Sequence, residues 1–238
     1  MKSIANLLFV SILCVSTGTA MAAPSINHRN SIEKEKAVKT LDKAVDALDN
    51  IMEDPDNNIP RSLIHKSEGI VIFPGALKVA VGCIGGQGAR GIAMIRKEDG
   101  SWSNPFFVNL GEGSLGFQLG AQSSDIVLLF KDRDDILEID KAEITIGSDV
   151  SAIAGPVSRE ISSNTDIDFE ASIYSYSRSK GLFAGVSLSG GILTYNEKVN
   201  DAWYEVYYVT TDEILNEMVT PFNDQTEDLI TSLNAYGQ

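Results

Sequence analysis

The sequence is poor in the residues that build disulfide scaffolds and many hydrolytic active sites. Its 238 residues contain two cysteines and two histidines, which excludes a disulfide-rich scaffold. No Gly-x-Ser-x-Gly sequence occurs, so the nucleophile of an α/β-hydrolase has no candidate. Basic residues are scarce as well, because 19 lysines and arginines against 33 acidic residues give a formal net charge of −14. This balance argues against a general nucleic-acid-binding protein, which needs an extended basic face.

Long apolar runs are also missing beyond the first residues. Lys2 is followed by an apolar run at 4–15 and then by Ala20-Met21-Ala22, the pattern of a secretory signal peptide. We therefore predict that residues 1–23 are cleaved, the alternative being an uncleaved membrane anchor. The mature chain is then exported to the periplasm or the extracellular space. Its charge becomes 18 − 33, or −15, because Lys2 is lost.

The rest of the chain has ordinary globular composition, with 43% hydrophobic and 22% charged residues. We predict a loose leader at 24–34 and a single domain at 35–238. Within residues 31–53, apolar side chains recur every three or four positions, which predicts an amphipathic helix. Residues 211–236 show similar spacing, interrupted by Pro221, and predict C-terminal helices.

Between these helical regions, short β-branched and aromatic segments alternate with turn-forming residues. The predicted strands include 77–84, 90–97, 115–121 and 203–209, and the segment 177–181 reads as a turn. Glycines four residues apart at 82/86, 116/120 and 181/185 suggest three related hairpins that bend sharply. The predicted fold class is α+β: N-terminal helices packed on a curved or closed, mainly antiparallel β-structure, with C-terminal helices.

Few motifs point to chemistry. Residues 86–91 match Gly-x-Gly-x-x-Gly, but a helix should begin at the third glycine of a dinucleotide site, and a strand is predicted there. Cys83 lies in an apolar segment and reads as a buried core residue. His65 reads as a surface or packing residue rather than a general base. We therefore predict no enzyme activity, no catalytic residue, no cofactor and no metal site.

Several blocks together resemble the SYLF domain family, also described as a lipid- and actin-binding domain. The resemblance covers roughly residues 35–208, with order and spacing both in agreement. Its blocks are 69–74 (GIVIFP), the glycine run 82–91, 102–105 (WSNP), 116–120 (GFQLG), 154–156 (AGP), 176–185 (YSRSKGLFAG), Asn200 and Tyr204.

The resemblance implies N-terminal helices on a curved β-structure and a role in lipid binding. Eukaryotic members of the family bind phosphoinositide membranes, some fungal members bind and bundle actin, and bacterial members are generally exported. With the predicted signal peptide, we expect an exported lipid-binding module at the bacterial envelope, with actin binding only a family-level possibility. The alternative is a non-catalytic scaffold that binds a protein partner through its C-terminal helices.

Two groups of basic residues are candidates for the lipid contact. Arg178 and Lys180 lie in the most distinctive block of the resemblance, where they either bind a headgroup phosphate or form a charged turn that preserves geometry. The first helix carries a second group, which either contacts the membrane surface or belongs to a core-packing helix with mixed charges. This second group consists of Lys34, Lys36, Lys39 and Lys43.

Overall fold

A computed structural model of the chain describes residues 26–55, 58–158, 169–181 and 190–237. Within these ranges the backbone alone is described at 26–29, 81–84, 114–120 and 180–181. The predicted signal peptide and the side chain of Cys83 lie outside the described part. For two predicted strand segments, 77–84 and 115–121, the structure describes the backbone pairing but not every side chain.

The longest helix, α1, occupies Ile26–Met52. Residues 26–34 are thus helical, which corrects the predicted loose leader. No glycine or proline interrupts the 27 residues. The most buried face is formed by small and large apolar residues spaced three or four apart, namely Ala37, Leu41, Ala44, Leu48 and Ile51.

Shorter helices follow between and after the strands. They are α2 (Arg61–Lys66), α3 (Arg133–Leu137), α4 (Glu197–Tyr204), α5 (Thr211–Leu215) and α6 (Thr226–Tyr236). The capping box of α5 joins Thr210 and Glu213, which satisfies backbone donors that the first turn leaves unpaired. In α6, Leu229 and Leu233 are buried in the same core as α1. The predicted C-terminal helices therefore contribute to the hydrophobic core.

The described strands form one sheet. Their bounds are β1 (Gly69–Ile95), β2 (Phe106–Phe130), β3 (Ile144–Thr145), β4 (Ala152–Ala154), β5 (Ile173–Gly181) and β6 (Ile192–Tyr195). The strand order is β3-β6-β2-β5-β4, and β1 pairs along β2. Every pair is antiparallel except β4 with β5. This arrangement confirms the predicted α+β class. Helices precede and follow a curved, mainly antiparallel sheet along the chain.

Strand β1 curls so strongly that its beginning and its end contact each other. The backbone N–H of Arg96 donates to the carbonyl of Glu68 (2.9 Å). A Cβ at Gly91 would lie 2.3 Å from the carbonyl oxygen of Ile72 and 2.5 Å from the ring of Phe73. Only glycine permits so close an approach. The strand can therefore curl, and the sheet has the shape of a half-barrel.

The structure corrects several predicted elements. Segments 77–84 and 90–97 belong largely to one strand, and Gly86 of β1 pairs with Gly113 of β2, so two of the glycine pairs lie in a single long hairpin. Gly185 is outside the described residues. Segment 177–181 is part of strand β5, not a turn, because each of its residues pairs with β2. Segment 203–209 is the end of α4 and a turn.

No helix in the described ranges is long and apolar enough to cross a membrane. The long α1 carries charged residues throughout, and its apolar face is already covered by the sheet and by α4 and α6. Its burial is therefore explained by packing within the domain.

Candidate anion-binding site

The four predicted lysines of α1 are mostly paired with carboxylates. Three ion pairs involve them: Lys34 with Glu205, Lys36 with Glu33 at 2.7 Å, and Lys39 with Glu35 at 2.6 Å. The hydrogen bond from Lys39 lowers the pKa of Glu35. Lys43 is exposed. Since these lysines alternate with acids, α1 presents a face of mixed charge rather than a basic face.

Arg178 holds α1 to the sheet. Its Nη1 donates to the backbone carbonyl of Asn50 (2.7 Å) and to the side-chain oxygen of the same residue (3.0 Å). Asn50 lies in the last turn of α1, where carbonyl groups lack helical partners and favour a cation. This contact corresponds to the geometry-preserving alternative for Arg178. Lys180 pairs with Ser123 through the backbone, and its side chain is outside the described part.

A shallow cleft next to Asn50 brings together two of the predicted regions. Its volume is about 240 Å³, and Lys43 is its cation. Two carboxylates, those of Asp46 and Asp125, also line it. Asp125 accepts a hydrogen bond from the backbone N–H of Gly75 (2.9 Å). An anion in this cleft would face more negative than positive charge, so the predicted residues do not assemble an anion site here.

A larger cleft, about 580 Å³, lies between α2, the connection after β1 and the end of α6. We call it the basic cleft. None of its lining residues is a carboxylate, although the chain as a whole has an excess of acids. It is lined by Arg61, Ser62, His65, Lys66, Arg96, Gly100, Trp102, Leu233, Asn234 and Gly237.

Helix α2 supplies one wall because of its spacing. Leu63 and Ile64 are buried in the core, and the other side chains of α2 are exposed to solvent. These exposed side chains lie one turn apart, so they point to the same side. They are Arg61, Ser62, His65 and Lys66.

Arg96 forms the floor of the basic cleft. Its three guanidinium nitrogens donate to backbone carbonyls of Ser67 (2.9 Å), Gly100 (2.8 Å) and Ile64 (2.8 Å). The guanidinium lies 4.2 Å from the ring centre of Trp102, in cation–π contact. Partial burial lowers the pKa of Arg96, and the charge of Glu68 opposes this, but arginine stays charged at any physiological pH.

The end of α6 supplies the opposite wall. Arg61 donates from Nη1 to the carbonyl of Ala235 (3.1 Å), and Nδ1 of His65 lies 3.0 Å from the carbonyl oxygen of Gly237. His65 therefore packs against α6, in agreement with its predicted packing role. Burial raises the pKa of Tyr236 to about 12, so its hydroxyl stays a donor, bonded to Asp49 at 2.9 Å.

The charge and the hydrogen-bond donors of the cleft are of the kind that suits an anion such as a phosphate group. Arg96 and Arg61 donate to backbone carbonyls at the ends of α2 and α6. Arg61 and Lys66 are at the same time exposed to solvent beside the hydroxyl of Ser62. Charge-assisted hydrogen bonds from such groups are the strong contacts that phosphates make. Elsewhere in the described residues, no group of three or more His, Cys, Asp or Glu could hold a metal ion.

Sequence reasoning missed the basic cleft because its cations come from two separate segments, α2 and the connection after β1, and its opposite wall comes from the end of α6. The one local signal is α2 itself, whose six residues include arginine, histidine and lysine but no acid. The curl of β1 brings Arg96 next to α2, and the docking of α6 brings its end to the same place. Neither contact can be predicted from local residue spacing.

Comparison with known proteins places these features in a family. Residues 111–236 match the family described as "Ysc84: Las17-binding protein actin regulator". The chain is 29% identical over 205 residues to SH3 domain-containing YSC84-like protein 1 of Bos taurus, covering 86% of this chain and 58% of that protein. It is 30% identical over 175 residues to LAS seventeen-binding protein 3 of Saccharomyces cerevisiae, covering 72% of this chain and 37% of that protein.

The chain thus spans little more than half of the bovine relative. The family match begins within β2 and includes the C-terminal helices described above. The family match covers more than half of the chain, and it includes α6, one wall of the basic cleft. The chain therefore belongs to the Ysc84 family, which is the SYLF-domain family that its sequence blocks resemble.

Proposed function

We propose that this chain is a non-catalytic, exported module that binds anionic phospholipid headgroups at the bacterial envelope. The observation that carries the proposal is the carboxylate-free basic cleft, which combines Arg61, Lys66 and Arg96 in a strongly acidic chain. A headgroup phosphate fits such a site by charge and by hydrogen bonding.

The net charge determines how such binding would work. A chain with 19 basic and 33 acidic residues is repelled as a whole by an anionic bilayer. Exposed charges more than about 10 Å apart are screened at ordinary ionic strength, so a local basic cluster still attracts one headgroup. The proposed contact is therefore confined to the cleft, and α1, with its paired lysines, takes no direct part.

Vesicle flotation tests the proposal. The mature chain is expected to float with phosphatidylcholine vesicles that contain phosphatidylglycerol and to stay below with phosphatidylcholine alone. Each basic residue near a membrane surface contributes about 1 kcal/mol, so the variant Arg61→Ala/Lys66→Ala should bind about 30-fold more weakly. The matched control is Lys36→Ala/Lys39→Ala, which removes the same charge from α1 and should change binding by less than about three-fold.

Other results would contradict the proposal. If the mature chain floats with no vesicle composition, lipid binding is wrong. If the α1 variant loses as much binding as the cleft variant, the contact lies on the first helix instead of the cleft.

A second candidate function, binding of a protein partner, is favoured by an exposed aromatic turn after α4. Tyr207 and Tyr208 are 73% and 77% exposed, and Tyr is enriched where proteins meet. Glu205 and Tyr208 both have left-handed backbone conformations, with φ of 58° and 57°, which costs energy in a non-glycine residue. Such strain is often found at functional surfaces.

Co-sedimentation with actin filaments tests this candidate, since the family is described as an actin regulator. The variant Tyr207→Ser/Tyr208→Ser should reduce co-sedimentation at least ten-fold, because exposed tyrosines act as anchors at interfaces. Met218→Ser is the control, since Met218 is also 73% exposed. Absence of the unsubstituted chain from the filament pellet would rule out an actin partner.

A further inference from the structure

The negative charge of the chain is concentrated at its C-terminal end. Residues 196–238 contain nine acidic residues and a single basic residue, Lys198. This segment therefore has a net charge of −8, more than half of the −14 of the whole chain, in less than a fifth of its length. It includes α4, α5, α6 and the turns between them. So local an excess of negative charge favours a cationic binding partner over an anionic one.

Exposed apolar side chains lie in the same segment. The large ones all fall between residues 206 and 222, and they are Val206, Tyr207, Tyr208, Met218 and Phe222. Aromatic residues that a polar rim surrounds are typical of protein–protein interfaces, where they supply much of the binding energy. The segment thus combines apolar contact groups with charge of one sign.

A cleft of about 230 Å³ between α1 and the end of α4 brings some of these side chains together. It is lined by Asn30, Lys34, Asp201, Ala202, Glu205, Val206 and Tyr207. Phe222 adjoins the cleft, because the ammonium of Lys34 lies 4.6 Å from the centre of its ring. We call Asp201, Glu205, Tyr207 and Phe222 the acidic aromatic surface.

This surface already accommodates a cation of the chain itself. The ammonium of Lys34 forms an ion pair with Glu205 and lies over the ring of Phe222. A carboxylate beside an aromatic face is a combination that attracts ammonium and guanidinium groups. Phe222 is held in place by Trp203, whose ring centre lies 4.8 Å away in an edge-to-face arrangement. The groups that a partner's lysine requires are therefore present and supported by the core.

Lys34 occupies only part of the acidic aromatic surface. Asp201 accepts a hydrogen bond from the backbone N–H of Val209 (3.3 Å), and it forms no ion pair with any residue of the described ranges. The side chain of Tyr207, which lines the same cleft, is 73% exposed. A second carboxylate and a second aromatic ring are thus accessible to a cation from outside the chain.

We propose that the acidic aromatic surface binds a segment of a protein partner in which lysine or arginine side chains flank an apolar residue. The cations pair with Asp201 and Glu205, and the apolar residue packs on the ring of Tyr207. This inference rests on the proposed protein partner at the turn after α4, and it names the charge of that partner. The same carboxylates repel an anionic membrane surface.

NMR titration of the ¹⁵N-labelled mature chain with the peptide Gly-Lys-Leu-Lys-Gly tests the proposal. We expect amide shifts that saturate and that are concentrated at residues 201–208 and 222. The peptide Gly-Glu-Leu-Glu-Gly has the same size and the opposite charge, and it should shift none of these signals. Absence of shifts with the lysine peptide, or an equal response at the acidic segment 132–135, would overturn the proposal.

The variant Asp201→Asn/Tyr207→Ser should bind the lysine peptide about ten-fold more weakly, because it removes one charge and one aromatic face. Asparagine can still accept from the N–H of Val209, so the turn keeps its hydrogen bond. The matched control is Glu138→Gln/Leu77→Ser, which removes an exposed charge and an exposed apolar side chain elsewhere. The control should change binding by less than about two-fold, and equal losses in both variants would contradict the proposed surface.

The variant Lys34→Met should change binding in the opposite direction. Loss of the ammonium frees Glu205 and the face of Phe222, so the affinity for the lysine peptide should rise about three-fold. Weaker binding of the peptide would show that the partner is not attracted by these groups, and the proposal would be wrong.

Co-sedimentation with actin filaments separates this inference from the proposed actin partner. Peptide binding without co-sedimentation supports a cationic partner other than actin. Co-sedimentation without peptide binding keeps the actin partner and overturns the cationic segment. Flotation with vesicles that contain phosphatidylglycerol depends on the basic cleft, so Asp201→Asn/Tyr207→Ser should leave it unchanged, and a loss of flotation in this variant would contradict separate surfaces.

Discussion

Replacing Arg96 with leucine is expected to lower the free energy of unfolding by about 3 kcal/mol. The guanidinium donates to the carbonyls of Ser67, Gly100 and Ile64. Leucine leaves these acceptors without their donors, and it also removes the contact with the ring of Trp102. Two of the carbonyls belong to the end of α2, so the wall of the basic cleft loses its support.

Urea denaturation followed by circular dichroism measures this change, with Arg133→Leu as the matched control. Arg133 forms an ion pair with Glu68 at 3.2 Å, and both partners are partly exposed to solvent. A pair of this kind contributes about 0–1 kcal/mol. Equal losses in the two variants would show that Arg96 acts only as a surface charge, contrary to the hydrogen bonds described above.

The variant Gly91→Ala is expected to destabilise the fold by about 3 kcal/mol, because a side chain there overpacks the closed end of the sheet. Its Cβ would lie 2.3 Å from the carbonyl oxygen of Ile72. That oxygen belongs to the backbone, so no rotamer change relieves the contact. The strand would have to open where its beginning meets its end.

Gly111→Ala provides the comparison for Gly91→Ala. Gly111 lies in β2, and a Cβ added there would meet no atom within 4 Å. We expect it to be neutral or to stabilise by up to about 1 kcal/mol, since alanine restricts the unfolded chain more than glycine does. Thermal unfolding of the two variants checks the difference, and similar midpoints would contradict the close packing of β1 on itself.

These two substitutions concern features that the sequence indicated only in part. The density of glycine predicts a sharply bent sheet, and Gly91 ends a Gly-x-Gly-x-x-Gly pattern whose strand context does not suit a dinucleotide. Which glycine lies at the closure was not predictable, because the contact joins Gly91 to Ile72, and local spacing does not specify where a curled strand returns to itself.

The lipid-contact residues show the same division. The lysines of α1 were recognised as accompanied by acids, and the ion pairs of Lys36 and Lys39 agree with that interpretation. The serine and glycine residues around Arg178 predict a turn. In the structure Arg178 pairs with Asp125 of β2, and this tertiary pairing overrides the local preference.

By itself the sequence determined the fold class, the amphipathic first helix, the glycine-rich curved sheet and the family resemblance, since each depends on residue order and spacing. Only the tertiary structure decided where the basic residues come together. The cations of the basic cleft come from α2 and from Arg96, and the end of α6 adds the opposite wall. The cleft arises from contacts between residues far apart in the chain, and its position therefore depends on packing.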